Sequence, residues 1–370
     1  MRLRFLTGAA ALTAVAALAS GCAGGPMSTP RWQSSSARGP AAAYQPLDQA
    51  PFSLLLAGKW HPSASSCGSS WRSGAKASEP DVTHGGGTLF VSQYGSGRTK
   101  VPIREYVGSG NVQAPIGSFV NDAGSADGIT VDGNGNFYVP DYLTSYVYVF
   151  PQGQDTPSAS YIYQIYEPIF AAADSKGNVY VINDRGGPIL IFAPGSTTPT
   201  QMTGFVYPTS LTFDDKSNMY IVDHEWDNGP SQPLGAVFKL KHGTTTPVNL
   251  GLSGLDFPVG ITLNPDKDIF VSNLGNNTIT EYAPGTTTPE ATISTGICAP
   301  VYITMNAAHN LVVANNDAQP KGSVTIYHAH TWDLMNTLTD DMSDPRGVAV
   351  NPNWQPSPTP TPSPKPTKTP

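Results

Sequence analysis

The run Gly128-Ile-Thr-Val-Asp-Gly-Asn-Gly-Asn-Phe-Tyr-Val139 decides the fold. It places an apolar run, a turn of Asp, Asn and Gly, and a second apolar run in one short stretch, the pattern of two strands joined by a hairpin. Copies follow at Ala173-Asp-Ser-Lys-Gly-Asn-Val-Tyr-Val181, Phe213-Asp-Asp-Lys-Ser-Asn-Met-Tyr-Ile221, Leu263-Asn-Pro-Asp-Lys-Asp-Ile-Phe-Val271 and Met305-Asn-Ala-Ala-His-Asn-Leu-Val-Val313. The matched positions Tyr138, Tyr180, Tyr220, Phe270 and Val312 step by 42, 40, 50 and 42 residues. Periods of this size in a strand-rich chain predict an all-β propeller with four antiparallel strands per blade.

Working outward, Tyr148-Val-Phe-Pro-Gln-Gly153, Ile191-Phe-Ala-Pro-Gly195 and Glu281-Tyr-Ala-Pro-Gly285 each end a third strand in a Pro/Gly turn. A Thr-rich fourth strand is expected after each. Pro168, Pro208, Pro258 and Pro300 then mark the start of the next blade, where a strand tolerates proline. Two fragments remain. Gly87-Thr-Leu-Phe-Val-Ser92 reads as a second strand lacking a first, and Pro345-Arg-Gly-Val-Ala-Val-Asn351 as a first strand lacking a second. Together they make a sixth blade stitched from both ends of the propeller, which removes exposed sheet edges.

Composition agrees. A chain of 370 residues suggests two or three domains on length alone, but 37 Gly and 35 Pro with only 13% charged residues leave little room for long helices. The repeat gathers residues 87–352 into one closed domain. Setting aside Arg2, Arg4, Lys365 and Lys368, 16 basic residues face 27 acidic ones. That balance lacks the basic surface that phosphate backbones require, so a nucleic-acid partner is not expected.

The ends read differently. Arg2 and Arg4, an uncharged stretch from Phe5 to Ala19 and small residues after it form a signal peptide over residues 1–21. Leu18-Ala19-Ser20-Gly21-Cys22 resembles the lipobox of bacterial lipoproteins, with Leu one place further upstream than the favoured position. The resemblance implies acylation of Cys22, a lipid anchor to the membrane and an extracytoplasmic propeller in the cell envelope. Cys67 and Cys298 are then left to pair with each other or to remain free thiols. Residues 22–86 read as a flexible tether and residues 353–370, rich in Pro, Thr and Ser, as a disordered, polyproline-type tail.

The motif Val-Asp-x-x-Gly-Asn-x-Tyr-Val followed by Asp or Asn resembles NHL repeats and the related six-bladed gluconolactonase (regucalcin)-like propellers. The resemblance covers roughly residues 87–352 and implies architecture more than function. Gluconolactonase-like enzymes hold one divalent cation at the channel mouth, on carboxylate and amide side chains just before a Gly at the start of innermost strands. Here those positions hold Asp127, Ile169, Thr209, Val259, Val301 and Arg346. Asp127 alone offers a carboxylate, and Arg346 would repel a cation. A metal-dependent lactonase or hydrolase, using Ca or Zn, is therefore the secondary expectation, with Asp127, Asp141 and Asp223 its weak metal candidates.

A second ring lies three residues past the aromatic position: Gln93, Asp141, Asn183, Asp223, Asn273 and Asn315. Asp and Asn end strands by bonding nearby backbone, and such side chains also make a polar rim able to take a protein, a peptide or a carbohydrate. The fourth blade adds Asp223-His224-Glu225-Trp226-Asp227, opening a loop that runs to about Leu234, long enough to carry a site. Asp132-Gly-Asn-Gly-Asn136 copies the start of a Ca²⁺-loop, but Phe137 stands where that loop requires Gly, so it is expected to be a hairpin turn. The leading expectation is a binding or scaffold propeller with no catalytic residue and no cofactor.

Overall fold

The computed structural model describes residues 87–94, 101–109, 113–119, 125–184, 186–225, 235–316 and 322–353. The segments expected to be signal and tether, with Cys22 and Cys67, and the expected tail after Asn353 lie outside the described residues.

Twenty-four strands form six four-stranded sheets. Blade 1 contains β1 (Thr88–Gln93), β2 (Ile103–Val107) and β3 (Gly117–Phe119). Blade 2 is β4 (Thr130–Val131), β5 (Phe137–Asp141), β6 (Tyr146–Phe150) and β7 (Ala159–Tyr161). Blade 3 is β8 (Pro168–Ala173), β9 (Val179–Asn183), β10 (Ile189–Phe192) and β11 (Thr200–Met202). Blade 4 is β12 (Pro208–Phe213), β13 (Met219–Asp223), β14 (Ala236–Leu240) and β15 (Val248–Asn249). Blade 5 is β16 (Pro258–Leu263), β17 (Ile269–Asn273), β18 (Thr278–Tyr282) and β19 (Ala291–Ile293). Blade 6 is β20 (Pro300–Met305), β21 (Leu311–Asn315), β22 (Ser323–Tyr327) and β23 (Leu334–Leu338). The last strand, β24 (Pro345–Asn351), returns to become the innermost strand of blade 1, in the order β24-β1-β2-β3. It pairs antiparallel with β1 from Thr88↔Asn351 to Gln93↔Pro345. The composite sixth blade expected from the two fragments is thus present.

The hairpin turns are built by one side chain each. In blade 2 the Asp132 carboxylate accepts the backbone amides of Asn134 and Asn136 at 2.9 Å, the Asn136 side-chain amide at 2.9 Å and the Tyr138 hydroxyl at 3.1 Å. Asp174 does the same for Lys176, Asn178 and Tyr180, and Asp214 for Lys216, Asn218 and Tyr220. Asn264, Asn306 and Asn351 keep the position with an amide in place of the carboxylate. The repeated Asp-x-x-Gly-Asn-x-Tyr is therefore a self-bonded turn that ties the inner strand to the second. The Thr-rich segments, by contrast, sit in the turn before the fourth strand. Thr286 Oγ1 donates to Ala283 O at 3.0 Å, and Ser196 Oγ donates to Thr198 O at 2.8 Å, so these hydroxyls close the turn and the strand starts later, at Ala291 and Thr200.

Core aromatics join one blade to the next. Phe90 meets Phe137 edge-on at 4.4 Å, Tyr161 meets Phe192 at 4.7 Å, Tyr180 meets Phe213 at 5.3 Å and Phe270 meets Trp332 at 4.8 Å. Around the axis the inner strands crowd, and glycine makes the room. A Cβ on Gly347 would stand 2.4 Å from Asp127 O, and one on Gly260 2.5 Å from Val301 O. The same level carries Phe170 and Tyr302, whose rings lie 5.5 Å apart against Gly128 and fill the channel. Tyr302 Oη donates across the axis to Ile169 O at 2.9 Å.

Replacing Tyr302 by Phe removes one of two donors to that carbonyl, which keeps the Gly128 amide at 2.9 Å, so a loss of about 0.5–1.5 kcal/mol is expected in denaturant unfolding. Gly347→Ala drives two inner strands apart and should cost more than Tyr302→Phe. A Gly347→Ala protein as stable as the parent would contradict this packing.

Candidate functional site

The face on which the innermost strands begin is called the upper face here. Pro168, Pro208, Pro258, Pro300 and Pro345 open their strands there, and a register irregularity follows each in its ladder. The second strands end on the same face, which brings the expected polar ring to it.

The ring's side chains are buried and bonded to the chain's own backbone. Gln93 Oε1 accepts Ser343 N at 2.6 Å. Asp141 accepts Ser125 N at 3.3 Å and Leu143 N at 3.1 Å. Asn183 accepts Tyr166 N at 3.2 Å and donates to Gln164 O at 3.1 Å. Asp223 accepts Val206 N at 2.7 Å and Tyr207 N at 2.8 Å. Asn273 accepts Asp256 N at 3.1 Å, and Asn315 accepts Cys298 N at 3.0 Å. Each side chain thereby fastens the segment that leads into its blade's innermost strand. Cys298 itself is buried and disulfide-bonded; Cys67, the partner that the sequence left open, lies outside the described residues.

The residues one step past the ring, Tyr94, Tyr142, Asp184, His224, Leu274 and Asn316, stand around the channel mouth. Sequence reasoning passed over most of them, although the same repeat spacing marks them. Asp184 accepts the hydroxyls of Tyr142, at 3.0 Å, and Tyr207. His224 Nδ1 pairs with Pro258 O at 3.1 Å, and its ring packs between Tyr207 and Phe257. Burial holds the His224 imidazolium down to about pKa 4. Glu225 is half-buried, and burial with the neighbouring Asp223 and Asp184 charges raises its carboxyl. Trp226 and Asp227 lie outside the described residues.

Below the mouth sits the pre-glycine ring. Arg346 is fully buried, bridged through Nε to Asp344 at 3.2 Å, with its guanidinium 4.9 Å over the Tyr94 ring. Asp127 is buried, and neither carboxyl oxygen has a hydrogen-bond partner among the described residues. Burial lifts its pKa to about 7; Arg346 opposes the rise while Asp184 and Asp344 add to it. Thr209 Oγ1 donates to Val259 O at 2.8 Å, and Ile169, Val259 and Val301 present only apolar side chains. Asp141 and Asp223 direct their oxygens at backbone amides, so the three aspartates do not converge as a donor set. Among the described residues, no three His, Cys, Asp or Glu are grouped to hold a metal ion. On the far side of the Tyr302–Phe170 plug the channel reopens as a cavity of about 260 Å³, lined in part by Thr130, Thr212, Thr262 and Thr304.

A different feature of the upper face is open. Leu143, Ile162, Tyr163, Tyr166 and Val206 are exposed and lie on loops of blades 2 and 3 and the connection into blade 4. These loops touch. Ser145 Oγ accepts Glu167 N at 3.1 Å, Tyr166 Oη is 3.9 Å from where a Gly187 Cβ would stand, and Gly186 abuts Val206 O. The signal available in the sequence is the segment Ile162-Tyr-Gln-Ile-Tyr166, two aromatics directly ahead of the strand-opening Pro168.

A raised pKa means that the folded state holds a proton on Asp127 that the unfolded chain releases above about pH 4. Asp127 therefore lowers stability as pH climbs from 4 to 7, while His224, kept neutral, lowers it as pH falls from 6.5 toward 4. Relative to the parent, Asp127→Asn should gain melting temperature between pH 4 and pH 8, by at least about 2 °C. An equal loss at both pH values would mean that the carboxyl is ionised and held by Arg346.

No protein-family model and no curated protein sequence matches the chain. Solved structures do. A crystal structure of a nidogen/laminin complex is similar at TM-score 0.56 and 16% identity, over 71% of this chain and 98% of that one. A protein of unknown function from Bacteroides caccae is similar at TM-score 0.52 and 12% identity, over 71% and 98% of the two chains. Streptogramin B lyase aligns at TM-score 0.45 and 14% identity, over 70% and 76%. By its six four-stranded sheets, the chain is a six-bladed β-propeller.

Proposed function

We propose that this protein is an exported binding propeller of the NHL and gluconolactonase-like kind, anchored to a membrane through acylated Cys22 and taking its ligand on the upper face of blades 2 and 3. The observation that carries the reading is the division of labour on that face. The polar ring is buried and bonded to the chain's own backbone and the pre-glycine ring is buried, whereas the loops carrying Leu143, Tyr163, Tyr166 and Val206 expose apolar and aromatic side chains. Exposed aromatic side chains on a rigid scaffold favour recognition. A nidogen/laminin complex, an assembly of proteins, has the same fold. The turns of Asp132, Asp174 and Asp214 support the NHL-like assignment. Binding rather than metal-dependent hydrolysis is favoured by the chemistry of the ring, which offers one carboxylate beside a buried guanidinium.

Two measurements test this. Cys22→Ser should move the protein from the membrane fraction to the soluble one and abolish fatty-acid labelling; continued labelling would refute the anchor. A photoreactive residue at Tyr163 should form adducts in the cell envelope, while one at Thr245, exposed on the opposite face, should not. Equal adducts at both positions, or none at Tyr163, would refute binding at this face.

A further inference from the structure

The loop between β7 and β8 carries more detail than an apolar patch. Tyr163 and Tyr166 are 52% and 48% exposed, yet the backbone that presents them is held at several points. Asn183 clamps both Gln164 O and Tyr166 N, Ser145 Oγ takes Glu167 N, and Ile165 is buried between the two rings' positions as an anchor. Gln164 and Glu167 both sit at positive φ, 62° and 44°, which non-glycine residues adopt only when surrounding contacts impose it. The rings are therefore displayed by a fixed loop rather than by a floppy one.

Beside them, Gln201 Nε2 donates to Gln164 Oε1 at 3.0 Å, and both side chains are exposed. That bond leaves the Gln164 amide NH₂ and the Gln201 carbonyl oxygen facing solvent, a neutral donor next to a neutral acceptor. The described loops around the patch, residues 142–145, 162–167, 186–187 and 201–206, contain no Lys or Arg. Arg185, between Asp184 and Gly186 in the chain, lies outside the described residues.

We propose that Tyr163, Tyr166, Gln164 and Gln201 form a binding subsite for a neutral carbohydrate. A pyranose has apolar C–H faces that pack on tyrosine rings and vicinal hydroxyls that donate and accept at once. Those hydroxyls match the open amide pair, and the rigid loop reduces the ordering cost of binding. This inference rests on the binding reading above and names the ligand class of that same face.

The test uses the purified full chain in calorimetry and fluorescence titrations against neutral oligosaccharides, namely β-1,3- and β-1,4-linked gluco-oligomers, manno-oligomers and chitin oligomers, with an oligo-lysine peptide as the protein-like comparison. Saturable binding to at least one oligosaccharide is expected. Tyr163→Ala and Tyr166→Ala should each weaken it about tenfold, and Gln164→Ala several-fold, while Tyr163→Phe keeps most of the affinity. Melting temperature should not move, because these side chains are exposed. No binding to any of the sugars, or binding insensitive to all three alanine variants, would overturn the carbohydrate subsite. If sugars fail but a protein adduct forms at Tyr163, only the ligand class is wrong. If both fail, the binding reading falls with it.

Discussion

Everything in this propeller depends on the ladder between β1 and β24. A ring of sheets has no independent blades, because each buries its face against the next, and the ring is only as closed as its last joint. That joint joins strands from the two ends of the propeller through five residue pairs, from Thr88↔Asn351 to Gln93↔Pro345. Hydroxyls from the inner strand β12 and from the second strands β1 and β17 then stitch one blade to the next. Ser92 Oγ donates to Asp127 O at 2.7 Å, Ser210 Oγ to Val259 O at 2.6 Å and Ser272 Oγ to Val301 O at 2.5 Å. Such bonds form only where the backbones approach closely, which is why Gly128, Gly260 and Gly347 recur beside them.

Closure also decides which side chains of the upper face stay exposed. The ring that joins second strands to the upper face is made of polar residues, but polarity there serves the backbone. Asp223 satisfies two amides of the segment leading into its own blade, and Asn183 clamps a loop from both sides. Clamping is what gives the outer loops a fixed shape. The exposed tyrosines are thus a product of the buried rim: rigidity at Asn183 and Ser145 becomes display at Tyr163 and Tyr166.

The architecture was legible because blades repeat. Hairpin turns, strand-opening prolines and the split blade are each written by residues next to one another in the chain. The Thr-rich segments misled for a local reason, since threonine favours strands in general but here bonds a turn carbonyl within three residues. The site was less legible. Asp, Asn and Gln at a strand end read alike whether they face a ligand or a backbone amide, and only the 16- or 17-residue return of the chain puts an amide in front of them. Asp127 was visible as the one carboxylate of its ring, but its burial beside Arg346 comes from two inner strands far apart in sequence.

The most direct measurement of this account is the unfolding of a chain ended at residue 340, which lacks β24 and keeps every other strand. Loss of the innermost strand of blade 1 exposes β1 and the channel wall. The account predicts a sharp fall in the unfolding midpoint. A truncated protein that melts like the parent would contradict it.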